Sequence, residues 1–429
     1  MKNSASGVAR FLDDAKALAC VHCGLCLSSC PTYLETGDEN ESPRGRIHLM
    51  RSVQDGRLRL GETAVHHIDH CLGCRACEAA CPSGVQYGEL LEHTREHIES
   101  HHRRSLFQTV LRRIMIGKVL PYPHRTKPAL LAAKLLKRAG AERWLKGFAG
   151  DALALIPDDA SEDRTPERSP ASAGRRLGQV GFIRGCVMSV MFGATNANSV
   201  GLLNRIGYDV FIPAGQGCCG ALHAHNGNLE RARECARHNV EVFERLAVEA
   251  VVINAAGCGS TLKEYGALLR EDPVWAERGR KFSAKVRDLT EFLASAGLPS
   301  HSTPKPVAQA RVGKITCHDA CHLAHAQRIT GPPRELIKAI AGPNFIELPE
   351  ADVCCGSAGS YNLTEPEMAE RLQRRKIKRI LESGAQTVVT TNPGCILQIR
   401  AGLRKAGAHG IQVLHIADYL AEATRPAGP

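Results

Sequence analysis

Cys20, Cys23, Cys26, Cys30 and Pro31 are spaced C-x2-C-x2-C-x3-C-P, and Cys71, Cys74, Cys77, Cys81 and Pro82 repeat the pattern. No other feature constrains the fold as much. A cubane iron–sulfur cluster presents iron at its corners, and a C-x2-C-x2-C loop wraps one such cluster with three thiolates. Structural zinc sites generally use two C-x2-C pairs, without the third cysteine and the C-P end. Two neighbouring clusters with no substrate pocket between them make a one-electron relay.

The spacing is the known one of two-cluster bacterial ferredoxins, which the chain resembles in this region. In that pattern the fourth cysteine reaches the neighbouring cluster. The match therefore implies one cluster on Cys20, Cys23, Cys26 and Cys81, and a second on Cys71, Cys74, Cys77 and Cys30. Forty residues lie between Cys30 and Cys71, including "ESPRGRIHLMRSVQDG". Arg44, Arg46 and Arg51 in that insert either steady a cluster's negative charge or form ordinary helix and loop surface.

The other ten of the 18 cysteines lie beyond residue 180 and carry an internal repeat. Cys186, Cys218, Cys219 and Cys258 match Cys321, Cys354, Cys355 and Cys395 in order and at a nearly constant offset. A near-constant period with matched spacing indicates duplication. Each copy alternates short apolar strands ("VGFIRG", "DVFIP", "AVVINAAG", "AQTVVTTNPG") with helical stretches, so each reads as α/β. Thr364 and Glu367 form a capping box for the helix that Gly384 ends. The cysteines then fall on loops at strand ends, where open α/β sheets place their sites. Four thiols per copy suit a cluster or a redox dithiol. Adjacent cysteines point to opposite sides of an extended chain, so the CCG turn implies an unusual geometry. Cys235 and Cys317 lack counterparts and are expected to stay outside these sets. His223, His225, His318, His322 and His325 are expected to cap loops, with proton delivery to a quinone as the alternative.

Between these regions, residues 96–179 contain no cysteine and are strongly basic. Leu106, Val110, Ile114 and Met115 recur at helical spacing, with Arg112 and Arg113 on another face. The expected organisation is a two-cluster domain over 1–95, a basic helical connector over 96–156 and a disordered linker over 157–179. Two repeats follow, over 180–300 and 311–425. The fold class is multidomain α+β: a helical ferredoxin-type domain, then a duplicated α/β domain. With 429 residues and 43% hydrophobic content the chain can bury real cores. The N-terminus lacks a signal-type apolar run, and no stretch of about twenty apolar residues occurs, so a cytoplasmic protein with reduced thiols is expected. The net charge of +11 fits an acidic partner or a peripheral contact with the inner membrane, while 4% aromatics argue against nucleic-acid readout.

Segments such as "ESPRGRIHLMR", "GCCGALHAHNG", "NAAGCGSTLKEYG", "CHLAHAQRI", "VCCGSAGSYNLTEPEMA" and "NPGCILQI" give the chain, over nearly its full length, a resemblance to the iron–sulfur subunits of bacterial glycolate oxidase. The resemblance implies two [4Fe-4S] clusters, with room for a further cluster at the CCG repeats. It implies FAD in partner subunits only, oxidation of glycolate to glyoxylate there, and electron flow through this chain to a quinone or another acceptor. The chain has no G-x-G-x-x-G signature, which agrees with that division of labour. The alternatives are an iron–sulfur subunit of heterodisulfide reductase type, or one serving glycerol-3-phosphate or lactate dehydrogenase. Heterodisulfide reductase subunits end each unit with C-x-x-C. Thr261 and Gln398 stand at those positions here, which favours electron transfer over disulfide cleavage.

Overall fold

The structure is a computed structural model and describes residues 10–141, 144–145, 147–298 and 313–425. Up to residue 101 the described residues form helices and no strand, the main ones being Pro31–Thr36, Pro43–Gln54, Glu62–Asp69 and Tyr87–His101. Pro31 fills the first helical turn, where its missing N–H costs nothing, so the C-P pair turns a ligand loop into a helix. Ser42 caps Pro43–Gln54 by accepting the Gly45 N–H at 3.0 Å. Ile47, Met50, Val65, Ile68, Leu90, Leu91 and Ile98 meet in one core, with Cys71 and Cys77 in the same cluster.

The two repeats have the same topology. The first sheet contains β1 (Arg168–Ser169), β2 (Gly178–Ile183), β3 (Tyr208–Phe211), β4 (Ala250–Ile253) and β5 (Val286–Asp288), in the order β1-β3-β2-β4-β5. The second contains β6 (Ile315–Cys317), β7 (Phe345–Ile346), β8 (Thr387–Thr390) and β9 (Gln412–His415), in the order β7-β6-β8-β9. Apart from β1, every pairing is parallel. Leaving β1 aside, each sheet runs second–first–third–fourth, so the chain direction reverses between the first and third strands, the place where such folds bind ligands. The helix Gly193–Arg205 packs on Ile416–Ala423, and Leu289–Ala296 packs on Gly331–Ala341. Each repeat thus lends a helix to the other, and their buried residues merge into shared cores.

Two expectations need correction. The segment 157–179 is ordered, not a disordered linker. β1 pairs antiparallel with β3, Asp163 accepts the Asn196 amide at 2.9 Å, and Asp209 accepts the Ala171 N–H at 2.9 Å. Part of its polar composition is met by the first repeat, and Asp158, Asp159 and Glu162 pair with Lys137, Arg400 and Lys127 of the connector and the second repeat. The capping box at Thr364 does not form either. The long helix spans Pro366–Ser383 with no side-chain cap, and proline at its start supplies the helical φ. Thr364 instead closes the short helix Tyr361–Thr364, while Gly384, at φ 70°, ends the long one as expected.

Candidate metal centres

All 18 cysteines are free thiols. The two N-terminal loops share an unusual backbone. On either side of the middle cysteine the chain is left-handed: His22 and Gly24 flank Cys23, and Gly73 and Arg75 flank Cys74. His22 and Arg75 hold this conformation without glycine's freedom, at φ 55° and 63°, a strain of about 1 kcal/mol or more each. Arg75 is braced in place by Glu78 at 2.8 Å and by Glu264 of the first repeat.

The loops differ in exposure. Cys23 is exposed, and Cys20, Cys26 and Cys81 pack at the rim of the N-terminal core. Leu18, Val21 and Leu25 around them are exposed as well. Cys71, Cys74 and Cys77 are buried, and Cys30 lies among them, not with its own loop alone. Burial pushes the Cys77 thiol up, and Cys74, Cys71 and Cys30 add to the shift. Thiols so placed suit a cation that removes their protons.

Arg46 resolves the question of the insert. It is fully buried, its fork pairs with buried Glu41, its Nε donates to the His67 carbonyl at 2.7 Å, and its Nη1 lies 3.9 Å from Cys30 Sγ. Burial opposes ionisation of Glu41, but the His70 hydrogen bond, the Arg46 charge and the His67 hydrogen bond hold its carboxyl at about 2. Tyr87 donates to Cys71 Sγ at 3.5 Å, and the Gly73 N–H does so at 3.4 Å. Such donors and charges tune the potential of a sulfur-held centre. Arg44 instead bonds Glu39 and the His22 carbonyl on the exposed side, and Arg51 stays on the helix surface.

In the repeats, every expected cysteine lies beyond the carboxyl end of one of the first three strands, around the switch point. In the first repeat the Cys186 and Cys218 thiols are 3.8 Å apart, Cys219 contacts both Cys218 and Cys258, and all belong to one group. Cys235, expected to stay outside, contacts Cys218 from the helix Leu229–Glu244. In the second repeat Cys321 contacts Cys354, Cys354 contacts Cys355, and Cys355 contacts Cys395. Gly220 and Gly356 after each pair are left-handed, at φ 90° and 87°, and a Cβ on Gly356 would sit 2.4 Å from the Ala369 carbonyl oxygen. Only glycine lets the following helix press onto the cysteine pair. Cys317 is buried in β6, outside the set, as expected. Thr261 bonds the Gly257 carbonyl and Gln398 accepts from Asn362, so neither offers a ligand.

The second N-terminal loop docks on the second repeat. Cys74 and Leu72 share an apolar cluster with Cys354, Tyr361, Met368 and Leu372, with Cys321 against it. Tyr361 donates to the His70 carbonyl at 2.8 Å, and Arg375 bridges Glu35 and Glu350. Both repeat thiol sets open onto one cavity of about 550 Å³. Leu111, Met115, Leu130, Leu136, Leu153 and Ile156 of the connector wall it. Two histidines bond as expected of loop caps: His322 to the Gly73 carbonyl at 3.0 Å and His325 to the Asp352 carbonyl at 3.1 Å. His225 pairs with Glu92 at 3.1 Å. His318 contacts the Cys395 thiol, and the Nε2 atoms of His223 and His225 have no hydrogen-bond partner among the described residues.

Comparison with known proteins gives matches in three stretches of the chain. A family described as "4Fe-4S dicluster domain" matches residues 16–85, and one described as "Cysteine-rich domain" matches residues 180–263 and again 315–400. The chain is 39% identical over 425 residues to the "Probable glycolate oxidase iron-sulfur subunit" of Bacillus subtilis (strain 168), covering 96% of this chain and 95% of that one. It is 33% identical over 411 residues to the "Glycolate oxidase iron-sulfur subunit" of Escherichia coli (strain K12), covering 95% of each. "Lactate utilization protein A" of an Exiguobacterium species is 29% identical over 242 residues, 56% of this chain and 96% of that one. The thiol sets fit the iron–sulfur clusters that these matches imply: they are grouped, unpaired, largely buried and supplied with sulfur-directed donors.

Proposed function

The chain belongs to the glycolate oxidase iron–sulfur subunit family, and on that premise we propose that it relays electrons from a separate FAD subunit oxidising glycolate to a lipid-soluble quinone. When bound, [4Fe-4S] clusters take up and release single electrons. We assign Cys20, Cys23, Cys26 and Cys81 to one cluster and Cys71, Cys74, Cys77 and Cys30 to the other, with the CCG thiols holding a further iron–sulfur centre in each repeat.

The observation that carries this reading is the linear placement of the thiol sets. The exposed set, ringed by Leu18, Val21 and Leu25, is the end a partner subunit can reach. The set containing Cys30 is buried behind it, and Cys74 of that set packs on Cys354 of the second repeat. Arg46 supplies a fixed positive charge beside Cys30, which favours the reduced state of a centre held there.

The connector supports the acceptor. Residues 100–141 contain ten Lys and Arg and no Asp or Glu. Leu106, Phe107, Val110, Ile114, Leu131 and Leu135 are exposed along it. Apolar residues set among positive charges suit the surface of an anionic bilayer. No helix among the described residues is long and apolar enough to cross one. The apolar cavity beneath the connector gives a quinone ring access to the repeat thiol sets.

The test is reconstitution. The chain alone, free of flavin, gives no glycolate oxidation with a dye. With the flavin subunits and quinone in anionic vesicles, glycolate bleaches the iron–sulfur absorption and quinol forms. Glycolate oxidation by the flavin-free chain overturns the reading, as does a chain that its flavin partner cannot reduce.

A further inference from the structure

The two repeats share a fold but not a ligand shell. In the first, Cys235 adds a fifth thiol to Cys186, Cys218, Cys219 and Cys258, and although His223 and His225 stand near Cys219, neither joins two of these cysteines in a close three-residue set among the described residues. Gly220 packs on Ala232 and Gly356 on Ala369, so these two alanines occupy corresponding places on the two following helices. One helical turn beyond the alanine stands Cys235 in the first repeat and Leu372 in the second. The second repeat therefore lacks the fifth thiol.

A histidine stands at the second set instead. His318 follows directly on β6, and its backbone N–H donates to the Val389 carbonyl at 2.9 Å, which fixes it beside β8. The residue is 1% exposed. Both ring nitrogens are buried and meet no nitrogen or oxygen partner among the described residues, and the ring contacts the Cys395 thiol. A buried imidazole held against thiols alone is unfavourable unless something takes up its lone pair. One ring nitrogen of His318 and the sulfurs of Cys355 and Cys395 all lie within 4.8 Å of one another. One imidazole and two cysteine sulfurs converging at that range can hold a metal ion.

We propose that His318 is a direct ligand of the iron–sulfur centre of the second repeat, alongside Cys355 and Cys395. This rests on the reading above that the repeats hold such centres. An imidazole is neutral where a thiolate carries a negative charge. Replacing thiolate by histidine raises the potential of an iron–sulfur centre, because less charge opposes the incoming electron. The second repeat, which contacts Cys74 directly, is then the more oxidising of the two and draws electrons from the buried N-terminal site.

The test uses the full-length chain reconstituted with iron and sulfide, grown once with natural histidine and once with ¹⁵N-histidine. Pulsed paramagnetic resonance at poised potentials reads the nitrogen coupling. The expected result is a coupling that changes with the isotope and is lost in His318→Cys, which keeps its iron but titrates at a more negative potential. Cys235→Ala leaves the coupling in place. A centre lost in Cys355→Ser that shows no histidine coupling in the unaltered protein overturns the assignment of His318 alone. Iron content unchanged by Cys355→Ser together with Cys395→Ser overturns both this assignment and the reading of the second repeat as a cluster site.

Discussion

His322 Nε2 lies 3.0 Å from the carbonyl oxygen of Gly73, which joins the second repeat to the loop that carries Cys71, Cys74 and Cys77. Burial first, then the charge of His225, lowers the His322 pKa to about 4, so the ring is neutral near pH 7. A neutral ring that donates to a carbonyl carries its proton on Nε2, and Nδ1 then accepts from Ser260 Oγ at 3.3 Å. The contact joins two thiol sets from opposite halves of the chain, Cys71–Cys77 and Cys321–Cys354, through a neutral ring.

His322→Ala leaves the half-buried Gly73 carbonyl without its donor, at a cost of about 0.5–1.5 kcal/mol. Hydrogen exchange is expected to quicken at the amides of residues 71–77 and 321–326 and to stay unchanged in β2 and β4. Iron content is expected to hold, because no thiol is touched.

Arg46→Met strands the buried Glu41 carboxylate. Breaking a buried pair from one side costs about 3–5 kcal/mol, so the N-terminal region is expected to melt first in a calorimetric scan. Where the variant folds, the cluster beside Cys30 is expected to titrate more negative, since a nearby positive charge has been removed. Arg44→Met, on the exposed side, is expected to change neither.

The crossed ligand assignment gives an asymmetric expectation for single cysteine changes. Cys30→Ser is expected to disturb the resonance of the buried site and spare the exposed one. Cys81→Ser is expected to do the reverse. If Cys30→Ser removes the site of Cys20, Cys23 and Cys26 instead, the ligands are not crossed.

Asp288 gives a pH signature away from the thiols. It caps the helix Leu289–Ala296, its Oδ1 accepting the Thr290 N–H at 2.8 Å, while Oδ2 is buried without a partner among the described residues. Burial raises its pKa to about 6, against the hydrogen bonds from Thr290. The folded protein therefore holds this proton more tightly than the unfolded chain. The favourable contribution is present in full below about pH 4 and is lost as pH rises to about 6. Asp288→Asn keeps the cap and removes the charge. Its thermal midpoint is expected to exceed that of the unaltered protein by the equivalent of about 1–3 kcal/mol at pH 7, with the difference shrinking toward pH 4.

The cysteine frames were legible because ligation imposes spacing along the chain, and the duplication because four cysteines in each copy keep one period. The strands were legible as apolar runs between turn residues. What escaped depends on contacts distant in sequence. His318 meets Cys395, far downstream, only because β6 and β8 pair in parallel. The signal within reach was its position just before Cys321, on a strand end. Cys235 reaches Cys218 only because Gly220 lets its helix approach. The segment 157–179 has the composition of a solvated linker, yet its Asp, Ser and Arg side chains find partners on the connector and on both repeats that composition cannot reveal. Arg46 and Arg44 are close neighbours in the chain and face opposite environments, a difference set by the helix that Ser42 caps.

The central claim is that electrons enter at the exposed thiol set and reach the repeats through the buried one. Freeze-quench resonance after mixing the chain with its reduced flavin partner tests it most directly, comparing the unaltered protein with a Cys23→Ala variant that has lost the exposed cluster. The account predicts that the repeat centres of the variant stay oxidised with the flavin partner and still reduce with dithionite. Reduction of those centres at the unaltered rate without the exposed cluster would contradict it.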